Sequence, residues 1–187
     1  MQTNINWQPA HLENNLVKLV PLKEDDFDRL FAIASDPKIW EQHPVHDRYL
    51  PDVFRETFFE SAAESKTAFI IIDQLTNKVI GSTRYYDYKP EEPGISIGWT
   101  FIARTNWGGK YNRAIKTLML DYAFQFVKIV YLHIGINNLR SQMATSKLGA
   151  KKVREFIAET NGRKSPSVEY AIYKNEWIQK SGSANIP

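Results

Sequence analysis

The chain has 187 residues, 43% of them hydrophobic and 24% charged, the balance of a globular protein with room for a sizeable core. Its 24 basic and 21 acidic residues leave a net charge of +3, too small an excess to point to nucleic acid, and the absence of cysteine removes disulfides, thiolate metal sites and a cysteine nucleophile. No run approaches the ~18 uninterrupted apolar residues of a membrane span, and MQTNINWQPAHLENN lacks the basic start and apolar core of a signal peptide, so the expected setting is the cytoplasm, with neither membrane nor nucleic acid as partner.

NLVKLVPL (15–22) has strand character, and Pro21 ends its pairing. EDDFDRLFAIASD (24–36) carries Phe27, Leu30, Phe31 and Ile33 near helical spacing behind an acidic first turn. DPKIWEQHPVHDRYLP (36–51), broken by prolines and rich in aromatics and histidine, reads as a loop, and 52–65 as a helix with Val53, Phe54, Phe58 and Ala62 inward. Strands follow at 67–73, 79–88 and 95–103, joined by polar turns. Residues 111–127 predict a strong helix with Ile115, Leu118, Met119, Tyr122 and Phe126 on one face. IVYLHIGI (129–136) reads as a strand buried on both faces, and NNLRSQMATSKLG (137–149) as a short helix ended by Gly149. Strands at 151–159 and 168–177 around the turn ETNGRKSPS complete the order, and SGSANIP is expected to fray. Seven strands and four helices in this order predict one mixed α/β (α+β) domain over 1–180 and a flexible tail over 181–187.

NWGGKYNR (106–113) stands where a strand becomes a helix. It fails the P-loop spacing, with Arg104 and Tyr111 at the places of the required Gly and Ser/Thr, and fails the dinucleotide fingerprint at Lys110 and Arg113. The physics of the turn remains: unpaired N–H groups at a helix start form an anion site, glycines let an anion approach, and Lys110 and Arg113 add charge. A plain strand-to-helix turn is the alternative reading.

Taken with its neighbours, the turn resembles that of the GNAT N-acetyltransferases, in the branch of the RimJ and RimL ribosomal-protein acetyltransferases. Four stretches carry the resemblance, which spans about 16–177: LVKLVPLKEDDFDRLFAIASD, VIGSTRYY, IGWTFIARTNWGGKYNRAIKTLML and NNLRSQMATSKLGAKK. It implies a GNAT fold, a mixed, mostly antiparallel sheet of about seven strands splayed at an acetyl-CoA cleft and flanked by about four helices. Acetyl-CoA as co-substrate would lie along Trp99, Thr100 and Phe101, with its pyrophosphate on the turn that includes Arg104, Trp107, Gly108, Gly109, Lys110, Tyr111, Asn112 and Arg113, and with Asn138 and Ser141 on the other side of the arm. Relatives are monomers or dimers, so a monomer or homodimer is expected. The usual Q/R-x-x-G-x-G/A pattern is altered: Thr105 stands three before Gly108, and Lys110 two after it. The acid that many relatives carry two residues before the strand glycine is Ser96 here.

In the implied reaction an amine attacks the thioester directly within a ternary complex. A lysine amine of pKa ~10.4 is about 0.04% neutral at pH 7 and an α-amine of pKa ~7.8 roughly 14%, so a site without a strong base leans toward α-amines such as a protein N-terminus, or toward a relay through water. Ser141 is the candidate donor to the leaving sulfur, Asn138 doubles as a helix N-cap, and His46, Asp47, Asp87 and Glu92 are candidate bases. Trp40, Tyr49 and Tyr86 are candidates for the acceptor pocket, against a default of core packing for aromatics. His133, inside an apolar strand, reads as a satisfied core histidine, and the scattered histidines at 11, 43, 46 and 133 give no metal-ligand spacing. Two rival readings are a CoA-binding module that has lost the chemistry, favoured by Ser96, and a nucleotide-binding protein using the glycine turn, disfavoured by its spacing.

Overall fold

The computed structural model describes residues 5–160 and 162–183. Its strands are β1 Leu12–Glu13, β2 Val17–Pro21, β3 Ala68–Asp73, β4 Lys78–Lys89, β5 Gly94–Ile102, β6 Ile129–Gly135, β7 Lys151–Thr160 and β8 Arg163–Tyr173. They form one sheet in the order β1-β2-β3-β4-β5-β6-β8-β7. Every neighbouring pair is antiparallel except β5 and β6.

The helices are α1 Phe27–Ala34, α2 Pro37–Trp40, α3 Pro51–Phe54, α4 Glu60–Glu64, α5 Lys110–Ala123, α6 Leu139–Leu148 and α7 Lys174–Ser183, with a π-helical turn, Arg55–Phe59, joining α3 to α4. Alternation along the strands feeds two apolar layers. On one face Ile95, Ile97, Val130 and Leu132 meet Ile115, Met119 and Ala123 of α5. On the other, Ile70 and Phe101 meet Leu30, Trp40, Phe54 and Phe58 of the N-terminal helices. The first layer fixes where α5 begins, and the second fixes the loop over 41–50; both borders meet at β5.

Most of the expected elements stand within two or three residues of their predicted ends. The sheet has eight strands where seven were read, because Leu12–Glu13 adds a short edge. Asp36, whose side chain accepts from the Lys38 N–H at 3.0 Å, caps a turn of helix inside the segment read as a loop. The hairpin β7–β8 is longer than read: pairing continues to Thr160↔Arg163, so most of ETNGRKSPS is strand. Strand β8 ends at Tyr173, and Trp177, expected in it, lies in α7, where its indole N–H donates to Asp121 at 2.7 Å. Helix α5 stops at Ala123, which leaves Phe126 outside it and 42% exposed. Of the tail expected to fray, 181–183 are helical and 184–187 lie outside the described residues.

One close approach pins β4 against β5. A Cβ built on Gly81 would fall 2.0 Å from the Phe101 carbonyl oxygen, so only glycine lets these backbones meet. We expect Gly81→Ala to lower stability by about 3 kcal/mol, measured by urea unfolding; a loss under about 1 kcal/mol would show that the strands part cheaply.

Candidate functional site

Strands β5 and β6 pair only through Gly94↔Ile129, Ile95↔Val130 and Ser96↔Tyr131. Beyond Ser96 they part. On the β4 side the register shifts between Ser82 and Arg84: Arg84 faces Gly98 and Ser82 faces Phe101, so Thr83 alone stands opposite Trp99 and Thr100. This is a β-bulge, and it puts Trp99 at φ +52. The bulge resets the alternation. Trp99 joins Phe101 against the N-terminal helices, while Thr100 turns toward α5.

The gap is a cavity of about 250 Å³. Trp99, Thr100 and Phe101 line one side, Leu132 to Gly135 the other, and Asn138 and Ser141 the start of α6. Trp107, Gly108, Gly109 and Asn112 line its far end. Gly108 and Gly109 sit at φ +106 and +96, and a Cβ on either would meet nothing within 4 Å, so the turn presents bare backbone to open space. No side chain caps α5, whose first intrahelical bond runs from the Arg113 N–H to the Gly109 carbonyl at 2.9 Å. The N–H groups of Lys110, Tyr111 and Asn112 therefore have no intrahelical acceptor. An anionic group fits this end, by dipole and by hydrogen bonding.

Four of the residues expected at this turn do not line the cavity. Arg104 is drawn away by its ion pair with Asp36, and the Tyr111 hydroxyl donates to Asp73 at 3.3 Å. Lys110 and Arg113 are exposed on the outer side of the turn. Arg140, not singled out in the sequence, does line it; its guanidinium stacks 4.0 Å from the Trp107 ring centroid, and the same quoted stretch, NNLRSQ, contained it. Asn138 caps α6, accepting from the Ser141 N–H at 3.1 Å, and among the described residues no hydrogen bond engages the Ser141 hydroxyl.

A second cavity of about 560 Å³ opens on the other side of Trp99, sharing with the first Arg48, His43, His133, Gly135 and Trp99. Pro44 approaches within 3.0 Å of a Cβ built on Gly135, so the loop over 41–50 closes down on the end of β6. Of the candidate acceptor residues, Tyr86 lines the second cavity and Trp40 the first, where it is 3% exposed and its indole N–H donates to the Ala34 carbonyl at 2.7 Å. Tyr49 lines neither. Among the candidate bases, exposed Asp87 lines the second cavity, while His46, Asp47 and Glu92 line neither.

The group that sequence reasoning placed elsewhere is His133. Strand β6 is not buried on both faces: Val130, Leu132 and Ile134 are buried, while Ile129, Tyr131, His133 and Gly135 alternate on a half-buried face. His133 is satisfied, as expected, but on the cleft face. The Tyr86 hydroxyl stands 3.0 Å from its Nδ1, and its Nε2 stands 3.0 Å from Glu169 Oε2. Arg154 then donates to both Glu169 oxygens at 3.0 and 3.1 Å. Burial alone would raise the Glu169 carboxyl, but bonds from Arg154 and His133 hold it below its ordinary value. That carboxylate fixes the imidazole with its proton on Nε2 and its Nδ1 open to accept from Tyr86. Burial pushes the Tyr86 phenol well up, so it keeps its proton. Its ring lies over Gly98, where a Cβ would fall 2.8 Å from Cε1.

Lys116 is a second residue that the sequence left unremarked. It is 5% exposed, donates to Thr100 Oγ1 at 2.6 Å, and has no acidic side chain within ion-pair distance among the described residues. Thr100 Oγ1 is also 2.8 Å from Thr83 Oγ1, so the amine ties α5 to both strands of the bulge. Burial pulls its ammonium down to about 7. The unfolded chain keeps that proton up to the ordinary 10.5, so unfolding takes up a proton between these values and stability rises with pH across that window. Below pH 7 the folded protein carries the whole cost of the buried charge. We expect Lys116→Met to stabilise by roughly 1–4 kcal/mol near pH 7 and to flatten the rise, read from urea midpoints between about pH 6.5 and about pH 9.5; equal slopes in both proteins would refute the buried charge.

The sequence model of the acetyltransferase (GNAT) domain matches residues 17–151. No curated protein matches the chain. Among solved structures, a GCN5-related N-acetyltransferase from Brucella melitensis superposes with a TM-score of 0.75 at 21% identity, over 94% of this chain and 85% of that one. The acetyltransferase (GNAT family) from Bacillus anthracis gives 0.72 at 15%, over 88% and 99%. Spermidine N-acetyltransferase from Vibrio cholerae, solved with CoA and spermine, gives 0.65 at 18%, over 88% and 99%. At these identities the likeness is one of fold. The match over most of the chain and the parted parallel strands agree, and this chain belongs to the GNAT acetyltransferase family.

Proposed function

We propose that the protein transfers an acetyl group from acetyl-CoA to a primary amine, a protein N-terminal α-amine of the RimJ/RimL kind or an amine of a small molecule. The observation that carries this is the parting of β5 and β6 around the Trp99 bulge, with the bare Gly108–Gly109 turn at one end and an imidazole at the other. The pyrophosphate would take the α5 N-terminus with Gly108, Gly109 and Asn112, and Arg140 stands beside it. The pantetheine arm would follow Trp99, Thr100 and Phe101, whose backbone has no partner on the β6 side. The bulge frees N–H groups there to face an oxyanion.

In the transfer the amine nitrogen bonds to the acyl carbon, the carbon–sulfur bond breaks and the CoA thiolate leaves. Ser141, whose hydroxyl has no partner among the described residues, supplies a hydrogen bond to that sulfur. The amine's proton passes to the Tyr86 oxygen as Tyr86 passes its own to His133 Nδ1, with Glu169 stabilising the imidazolium. This relay takes the place of the acid missing at Ser96. His46 and Asp87, the bases expected from sequence, stand outside it: His46 lines neither cavity, and Asp87 is exposed beside Lys89. The rival reading, a CoA-binding module without chemistry, predicts binding but no turnover.

Thermal unfolding with acetyl-CoA tests binding: at about 100 times its dissociation constant the ligand should stabilise by about 2.7 kcal/mol. We expect that gain to vanish in Asn112→Glu, which sets a carboxylate at the turn without backbone strain, and in Gly109→Glu; an undiminished shift in both would remove the pyrophosphate from this turn. Free thiol released only when an amine is added separates the enzyme from the silent module. Tyr86→Phe should lower kcat by roughly 100-fold for a lysine-like amine and much less for a weakly basic one, and equal losses for the two would exclude the relay.

A further inference from the structure

The second cavity holds two cations for which acetyl transfer as such has no use. Arg48 is 1% exposed and Arg84 7%. Their Cζ atoms lie 5.1 and 3.8 Å from the Trp99 ring centroid, and Arg48 lies 5.5 Å from both Trp40 and Phe58. Neither has a carboxylate within ion-pair distance among the described residues. Asp47, whose field reaches Arg48, is held by Arg163 at 3.6 Å. The acids on the cavity wall, Asp87 and Glu159, are exposed, each 4.0 Å from a lysine.

Neutral acceptors satisfy these guanidiniums only in part. Arg48 donates to the Thr57 hydroxyl and carbonyl at 3.0 and 2.8 Å. Its Nη1 faces His43 Nε2 at 3.3 Å, but the Val45 N–H donates to His43 Nδ1, which leaves the ring proton on Nε2 and sets two donors against each other. Arg84 donates to Ser61 Oγ at 3.2 Å, and its Nε is buried without an acceptor. Burial pulls Arg48 down to about 9, with the Arg84 charge adding to the effect, and burial pulls Arg84 down to about 10. Aromatic faces offset some of this cost; an anion between the two forks would offset the rest, and a planar carboxylate matches that geometry.

We propose that the acceptor amine carries a carboxylate, which Arg48 and Arg84 hold in the second cavity. The inference rests on the acetyl-transfer reading and narrows its substrate class. Arg84 and Tyr86 lie two residues apart on one face of β4 and both line the second cavity, so a molecule whose carboxylate meets the first presents its amine on the side of the second. The shared chemistry is an amine with a nearby carboxylate, found in a free amino acid and in a peptide whose first residues are acidic. A polyamine would add cations to a site that already holds two unpaired ones.

Thiol release from acetyl-CoA decides it, with each amino acid set against its carboxamide, acidic-start peptides against neutral ones, and spermidine alongside. We expect each carboxylate to exceed its neutral partner in kcat/KM by at least about tenfold, and Arg84→Met to erase the preference while the acetyl-CoA dissociation constant from calorimetry stays put. Activity on free amino acids, or on acidic peptides alone, identifies the source. Glutarate, which has no amine, should raise the melting temperature of the wild type and leave Arg84→Met unmoved. Equal use of carboxylates and carboxamides, or preference for spermidine, overturns the carboxylate site and leaves acetyl transfer standing. No acetyl-CoA binding and no thiol release with any amine overturns the transfer reading and this inference with it.

Discussion

Two parallel strands that begin as neighbours would ordinarily continue pairing, because each further residue closes a backbone hydrogen bond. Here β5 and β6 stop after Ser96 and Tyr131, and every feature of the site depends on what keeps them apart. On the β6 side, seven register pairs hold its far edge to β8, so it cannot bend across to follow β5, and the Pro44 loop presses on Gly135. On the β5 side it is the Trp99 bulge, which bends the strand and breaks its register. The bulge is held from both faces, by Lys116, Thr100 and Thr83 on the α5 side and by the packing of Trp99 against Phe58 and the N-terminal helices on the other. A non-glycine residue at positive φ costs free energy, and it persists where the surroundings leave no alternative.

Three buried cations give the site its electrostatic character. Lys116, Arg48 and Arg84 are all buried, all next to the bulge, and without a carboxylate within ion-pair distance among the described residues. Such charges weaken a fold, and the two apolar layers on either side of the sheet offset that cost. A bulge, a non-glycine residue at positive φ inside a strand and three buried cations gather where the strands part, the company expected when strain serves a site.

The fold was legible because its signals are local and periodic. The alternation of β2, the unbroken apolar run of β3, the helical spacing from Ile115 to Met119, and Gly149 as a left-handed helix cap at φ +97 all follow from nearest-neighbour chemistry. The glycine turn was legible for the same reason. What could not be read depends on partners far away in sequence. His133 sits in a run of apolar residues, and only pairing with β8, which brings Glu169 opposite, and with Tyr86 across the bulge reveals which face it occupies. Arg48 lay in a segment that looked like solvated loop, and only the packing of Trp40 and Phe58 buries it. Arg104 was expected at the pyrophosphate from the resemblance and Lys110 from the resemblance and its charge; Arg104 pairs with Asp36, Lys110 is exposed, and the backbone of the turn faces the cavity.

Serine at position 96 is consistent with this arrangement. Ser96 is fully buried and stands opposite Tyr86 in the β4–β5 register. A carboxylate there would sit near the Tyr86 phenol, with Glu169 already supplying negative charge to the same network through His133. Two acids in so small and dry a space would repel, and one would take up a proton. With serine at 96 and no side chain at 98, Tyr86 can lie flat across the strand and reach the imidazole. In the proposed transfer the acid of the network stands on β8, two strands from Ser96, and acts through His133.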